Sequence, residues 1–349
     1  MTKKIASIYY AGFARFGGVI SHVRSIETEL RRIGWNVNVI TLDSLPIWCK
    51  YIPHIIEKII NFFNRPLGYL YKDRATRLLY MLLFNGKANL RIFEDIYIGW
   101  NSKIPSITIL HAVWSDNLQS YSVSQKNEYR LKEREALIIE NTKHPIATVS
   151  YPYLKYIKED HFSREITKKI DVIELGVDQS QYQKDRHTDR KSIVYVGTLE
   201  ERKNIKFLLQ VFKRLLEIDS SYLLTIIGDG PQRRQLEEYA KIKSLNVLFL
   251  GPLRHDDVIA ELHNHGVYLH TSTKESFSYA LLEAKLSGLI TCAYYKLQVP
   301  SEFVDVPIVS MDVNEWCNGI LNINWIPIPF EGSKYTVERM TALTLKLSK

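Results

Sequence analysis

The feature that most limits how this chain can fold is a regular alternation in its second half. Short apolar runs occur at Ile193 to Val196, Leu223 to Ile227, Val247 to Leu250, Val267 to His270 and Ile290 to Ala293. Between them lie stretches of helical period, from about Asn204 to Ile218, Gln232 to Lys243, Asp256 to His263 and Tyr279 to Ser287. Strands separated by helices of this length are joined by parallel crossovers, which predicts a doubly wound parallel sheet. Ligands of such sheets bind in the loops at the carboxyl ends of the strands.

The first half opens in the same way. Ile5 to Tyr10 reads as a strand, followed by a turn with Gly12, Gly17 and Gly18. A helix is expected from about Ile20 to Ile33, with Val23, Ile26, Leu30 and Ile33 on one stripe and Gly34 as its stop. Asn36 to Thr41, Arg91 to Tyr97, Ile107 to Val113, Ile146 to Ser150 and Val172 to Leu175 read as further strands. The chain has 349 residues, enough for two domains. The polar stretch 179–191 reads as the linker, and Tyr335 to Lys349 has a helical apolar pattern.

Residues 46–86 stand apart. Ile55, Ile56, Ile59, Ile60, Phe62, Phe63, Tyr69, Tyr71, Leu78, Leu79, Leu82 and Leu83 are interleaved with Arg65, Lys72, Arg74 and Arg77. Two readings stay open: ordinary helices packed on the first sheet, or an interfacial element on an anionic membrane.

Composition excludes several classes. Cys49, Cys292 and Cys317 are odd in number and widely spaced, which gives neither a disulfide framework nor a zinc knuckle and agrees with a reducing cytosol. The N-terminus has no secretory pattern, and no apolar run is long enough to span a bilayer. The expected location is cytoplasmic, with peripheral contact at the inner face of the cell membrane as the open alternative. A net charge of +8 favours anionic partners, whether nucleoside diphosphates, lipid surfaces or nucleic acid.

Two loops carry the chemistry. Gly197-Thr198-Leu199-Glu200-Glu201-Arg202-Lys203-Asn204 follows a strand and opens a helix. Fixed cations and a helix N-terminus stabilise the charge that develops on a departing diphosphate. Taken alone, Arg202 and Lys203 read equally as a solvated surface pair. The second loop is Thr273-Lys274-Glu275-Ser276-Phe277-Ser278. Ser276 or Ser278 can cap the next helix. Glu283 lies about five residues into that helix, roughly 7 Å along its axis, a span suited to a diphosphate and its ribose. The alternative is a solvent-facing helical glutamate.

These motifs resemble the retaining glycosyltransferases of family 4. The spacing Glu275-x7-Glu283 is similar to that family's acidic pair. Gly228-Asp229-Gly230-Pro231, the strand Phe249-Leu250-Gly251 and the junction Ile173-Glu174-Leu175-Gly176-Val177-Asp178 follow in its order. Gly17-Gly18-Val19-x-x-His22-Val23 resembles its glycine-rich loop, and His111 falls where it has an active-site histidine. The resemblance covers most of the chain except residues 42–90.

What it implies is a GT-B fold, an α/β architecture of two Rossmann-like domains facing across a cleft. Residues 1–172, completed by a helix at about 335–349, would form the acceptor side, and residues 173–334 the donor side. Arg202 and Lys203 would bind the donor diphosphate, and Glu283 the ribose. Glu275 would contact the transferred sugar, and the backbone amides of Phe277 and Ser278 the distal phosphate. Gly17, Gly18, Gly197, Thr198, Gly228 and Ser276 would complete the donor pocket, with His111 at the reaction centre. A packed or capping histidine is the alternative at position 111.

Departures from the family pattern are Thr198 for arginine, Glu-Ser-Phe-Ser for Glu-Gly-Phe-Gly, Leu175 for asparagine, and Ala112 for glycine or aspartate. With Thr198 in place, Arg202 would take the arginine's task.

The implied reaction is sugar transfer with retention, from a nucleoside-diphosphate sugar to a glycan or lipid-linked acceptor, as in bacterial surface polysaccharide synthesis. No Asp-x-Asp triplet or His/Cys cluster argues for a metal, so no metal and no cofactor is expected. The rivals are weaker. Gly228-Asp229-Gly230 lacks the third glycine of the dinucleotide fingerprint, and no Gly-Lys-Ser/Thr follows Gly12 and Gly17. A hydrolase would use two facing carboxylates. The non-enzymatic alternative is a degenerate relative that binds sugars or anionic polymers.

Overall fold

The computed structural model describes residues 4–14, 17–63, 68–117, 125–182, 189–325 and 330–349. Arg65 and residues 183–188 of the expected linker lie outside the described residues. The chain divides into two compact units, residues 1–177 with 334–349, and residues 178–333.

In unit 1 the strands are β1 (Ile5–Tyr9), β2 (Asn36–Ile40), β3 (Leu90–Phe93), β4 (Ser106–Leu110), β5 (Ile146–Thr148) and β6 (Ile170–Val172). They form one parallel sheet in the order β2-β1-β3-β4-β5-β6. β3 and β4 are buried along their whole length, as strands covered on both faces must be. The helices are α1 (Gly18–Arg32), α2 (Ile47–Lys50), α3 (Ile52–Phe63), α4 (Gly68–Leu83), α5 (Trp114–Asn117), α6 (Gln125–Asn141), α7 (Tyr151–Asp160) and α8 (Arg164–Thr167). α1 buries Val23, Ile26 and Leu30 of the expected stripe together with Ile20, whereas Ile33 caps the helix and is exposed.

In unit 2 the strands are β7 (Ser192–Val196), β8 (Leu223–Ile227), β9 (Val247–Gly251), β10 (Val267–His270), β11 (Ile290–Tyr294) and β12 (Val306–Ile308). Their order is β12-β11-β10-β7-β8-β9, again parallel. The helices are α9 (Ile205–Ile218), α10 (Arg233–Ile242), α11 (His255–Leu262), α12 (Tyr279–Leu286) and α13 (Val313–Leu321). α9 buries Ile205, Leu208, Leu209, Phe212 and Leu215, each contributing about 1.5–3 kcal/mol by leaving water. Its Phe207 meets Trp316 of α13 edge-on, at 5.8 Å between ring centroids. The last helix, α14 (Val337–Leu347), returns to unit 1 and packs on α1.

Several expectations change. The run Arg91 to Tyr97 is a strand only to Phe93. Ile96, Tyr97 and Ile98 are buried as turn residues within the core, so their apolar character marks packing and not strand continuation. The segment 179–191 is no simple linker at its start, because Gln179–Tyr182 forms a 3-10 turn with Tyr182 buried. The chain leaves unit 1 after Val177, since Ile173, Leu175 and Val177 are buried, and Val177 pairs with Thr336 within the unit. Finally, β12 and α13 carried too little periodicity to read. β12 has three residues with Pro307 at its centre, and α13 starts where Asp312 accepts from the Asn314 and Glu315 amides.

Both sheets have a switch point, where successive connections leave in opposite directions. In unit 1 it lies between β1 and β3; in unit 2, between β7 and β10. The carboxyl ends of those strands are where a ligand is expected.

Candidate functional site

At the unit 2 switch point, the loop after β7 and the loop after β10 are tied together. The Thr273 amide donates to the Arg202 carbonyl at 3.1 Å, and the Thr271 hydroxyl to the Lys203 carbonyl at 3.0 Å. Arg202 and Lys203 sit on a 3-10 turn, Glu201–Lys203. α9 begins only after Asn204, whose φ of 54° breaks the run. The pair therefore precedes the helix instead of standing in its first turn.

The turn aims both cations at Glu275. The Lys203 ammonium is ion-paired with Glu275 Oε1, and Arg202 Nη1 stands 3.7 Å from Oε2. Ser272 Oγ donates to Oε1 at 2.8 Å, and His270 Nε2 lies 3.2 Å from the same oxygen. His270 donates Nε2–H to Glu275, and its Nδ1 lies 3.2 Å from the Tyr268 hydroxyl, which itself donates to the Val196 carbonyl at 3.1 Å. Burial raises the Glu275 pKa, but Lys203, His270 and Arg202 outweigh it and hold the carboxyl well below its usual range. Burial lowers the Lys203 pKa against the pull of Glu275.

The strand ends beside this cluster need glycine. Gly228 has φ 130°, and a Cβ there would overlap the Gly197 carbonyl oxygen. Gly197 follows β7 with its amide on the Ile227 carbonyl at 3.0 Å. Thr198 donates its hydroxyl to Glu200 at 3.1 Å. Ser278 takes φ 68° and caps α12, accepting from the Leu281 amide at 3.4 Å. Serine thus adopts the left-handed conformation at a position where the family resemblance has glycine. Ser276 precedes Phe277, which is buried with its ring 5.3 Å from that of Phe303.

Glu283, fifth residue of α12, is not solvent-facing: its side chain is 9% exposed. The Tyr182 hydroxyl hydrogen-bonds it, and His255 Nδ1 lies 3.9 Å from its Oε1. Burial pushes its pKa up to about 7.

Gly17, Gly18 and His111 belong to unit 1. Gly17, with φ 126°, accepts the Ser21 amide as α1 begins at Gly18. His111 follows β4 and directs Nε2 at Glu94 Oε2, 2.7 Å away. His22, on α1, directs Nδ1 at the same oxygen from 2.8 Å. Burial raises the Glu94 pKa, but the two rings reverse the effect and bring it to about 2.

Of the expected residues, then, Arg202, Lys203 and Glu275 converge, Gly197 and Gly228 touch, and Glu283 stands apart with Tyr182. Glu94, His270, Ser272, Tyr182 and His255 were not foreseen. His270 carried a signal, as the last residue of an expected strand. Glu94 was hidden because the expected strand ran past it.

Residues 177–305 match the model of the family described as Glycosyl transferases group 1. The match covers 129 of the 349 residues, a little over a third of the chain. Among curated relatives, the phosphatidylinositol N-acetylglucosaminyltransferase gpi3 subunit of Schizosaccharomyces pombe is 32% identical over 127 residues, covering 35% of this chain and 28% of that protein. The match therefore spans under a third of the relative's length. The fold is similar to that of sucrose-phosphate synthase from Thermosynechococcus elongatus, with TM-score 0.67 and 17% identity over 99% of this chain and 95% of that one. HepE of Anabaena, in complex with UDP and glucose, gives TM-score 0.58 and 14% identity over 99% and 95%. The two parallel six-stranded sheets are those of the GT-B fold. The convergent cluster lies within the matched residues, whereas the His22–Glu94–His111 cluster lies outside them.

Proposed function

We propose that this protein is a retaining glycosyltransferase that moves a hexose or deoxyhexose from a nucleoside-diphosphate sugar to a glycan or lipid-linked acceptor, in the assembly of bacterial surface polysaccharide. The observation that carries the reading is the convergence of Arg202 and Lys203 on Glu275 at the unit 2 switch point. UDP in the HepE complex supports a nucleotide donor.

The chemistry follows from those groups. An ammonium has three N–H donors. One of Lys203's goes to Glu275, and the others serve the donor's phosphate oxygens beside Arg202. As the bond between the anomeric carbon and the phosphate oxygen breaks, the diphosphate gains charge, and fixed cations lower that barrier. The acceptor hydroxyl attacks the anomeric carbon from the face the diphosphate leaves, and its proton passes to the departing phosphate oxygen. Glu275 orients sugar hydroxyls, Glu283 holds the ribose, and the amides of Phe277 and Ser278 meet the distal phosphate. No metal is required by this route. Residues 178–333 are the donor side, and residues 1–177 with 334–349 the acceptor side.

The acceptor side also carries an unusual surface. On α2 and α3, Ile47, Trp48, Ile55, Ile59, Phe62 and Phe63 are exposed; on α4, Leu78 and Leu82 are. Lys58 and Arg74 are exposed among them. Cys49, Pro53, Leu70 and Tyr80 anchor one edge of these helices in the unit, so packing and an open apolar face coexist. Among the described residues no helix is long and apolar enough to cross a membrane. The mixture supports peripheral contact with an anionic lipid surface.

The decisive test is thermal stabilisation by a panel of nucleoside diphosphates and nucleotide sugars, with and without EDTA, on wild type and Glu283→Ala. One nucleotide class should raise the wild-type Tm, less so in the variant. No stabilisation by any nucleotide would overturn the reading and favour a degenerate binding protein.

A further inference from the structure

His111, the histidine expected at the reaction centre, is brought together with two further side chains from α1 and from the end of β3. His22 and Glu94 are fully enclosed, while the His111 side chain keeps 13% of its surface exposed. Both rings meet one oxygen, Glu94 Oε2, at 2.8 and 2.7 Å. Glu94 Oε1 and His22 Nε2 are buried without a hydrogen-bond partner. A buried carboxylate that leaves one oxygen unsatisfied is costly, so the arrangement is held by something other than its own stability.

The three ligand atoms lie within 4.8 Å of one another, close enough in principle for a metal ion. Two features speak for hydrogen bonds instead. Nitrogen–oxygen separations of 2.7 and 2.8 Å are hydrogen-bond lengths, whereas ligands about 2.0–2.2 Å from a tetrahedral zinc stand farther from each other. A metal-bound imidazole almost always donates its other N–H, and His22 Nε2 has no partner.

We propose that Glu94 and His22 are positioning residues for His111: the shared carboxylate oxygen takes an N–H from each ring, which fixes the His111 proton on Nε2 and leaves the lone pair of Nδ1 as its working atom. An ionised carboxylate only accepts, so each nitrogen facing Oε2 carries a hydrogen. A neutral imidazole protonated on Nε2 is necessarily unprotonated on Nδ1. Burial lowers the His111 pKa, with Glu94 opposing, which favours the neutral ring. His22 contributes a second N–H to the same oxygen at 2.8 Å, which holds Oε2 in place for His111. Nδ1 of His111 is then an acceptor for a substrate hydroxyl. That last role rests on the transferase reading; the tautomer does not.

The test has two arms. Imidazole nitrogen NMR on the full chain should show wild-type His111 as a single Nε2–H tautomer, unchanged by EDTA. Glu94→Ala should release it to a mixture. An Nδ1–H tautomer, or a wild-type spectrum altered by EDTA, overturns the proposal whether or not the protein transfers sugar. In the second arm, Glu94→Gln and His22→Leu should lower kcat by up to about 10²-fold with donor KM and nucleotide-induced Tm shift kept. His22→Asn, which returns an N–H near the position of Nδ1, should recover most of the rate. Equal rates for His22→Leu and His22→Asn overturn the role of His22. Loss of folding in either shows in the nucleotide shift, and the NMR arm then decides. If the tautomer is as stated but no donor is turned over, the positioning holds and the transferase reading fails.

Discussion

Lys203 and Glu275, 72 residues apart in the chain, close into an ion pair that is nearly sealed from water. The loops after β7 and β10 meet only because the switch point places those strands side by side. Lys203→Ala should lower kcat on the order of 10²–10³-fold, the usual loss for one fixed group that stabilises transition-state charge. Glu275→Gln strands a buried ammonium and should reduce stability by about 3 kcal/mol. Turnover assays and urea unfolding of both variants check the pair; full activity in Lys203→Ala would remove it from the chemistry.

Glu283 links nucleotide binding to pH. Its pKa stands at about 7, above the ordinary 4.5, because it is buried. The folded state then holds the proton more tightly than the unfolded one. Between about 4.5 and 7 this group makes stability fall as pH rises. A ribose hydroxyl donates to the ionised form, so nucleotide should bind better above pH 7 than below. Tm measured from pH 5 to 8, with and without nucleotide, checks both signs. Glu283→Gln should flatten both dependences.

Gly228→Ala tests the contact between two strand ends. The added carbon would meet the Gly197 carbonyl oxygen at a φ of 130°. A loss of about 1–3 kcal/mol is expected, with the nucleotide response weakened because the loop carrying Thr198 must shift. A variant as stable as wild type would show that the two loops are free to separate.

Ser278→Gly should move the other way. A left-handed serine costs roughly 1–2 kcal/mol, and replacing a cap by glycine loses only a few tenths. The cap here is long, at 3.4 Å. A net gain of about 0.5–1 kcal/mol is expected, read by urea midpoint. A loss would mean that the cap outweighs the strain.

Arg74→Glu with Arg77→Glu should reduce binding to anionic vesicles and leave binding to neutral ones unchanged, since each basic residue near such a surface contributes about 1 kcal/mol. Co-sedimentation with vesicles of both compositions decides it; undiminished binding would refute the lipid contact.

The sequence by itself determined the local elements. Alternation of apolar runs with helical stripes is a property of neighbouring residues, so Leu223–Ile227 and Val267–His270 were legible to the residue. The Glu275 and Glu283 pair was legible too, because both sit on one loop and the helix that follows it. Tertiary structure decided what those residues touch. His270 and Ser272 join Glu275, Tyr182 turns back onto Glu283, and His22, Glu94 and His111 share one oxygen. None of these contacts has a period or a spacing. They arise where strands end at a switch point, and the end of a strand is set by packing across the sheet, which is why reading Arg91 to Tyr97 as one strand concealed Glu94. The exposure of Phe62 and Leu82 was equally undecided, since an apolar helical stripe looks the same whether it faces a core or the outside.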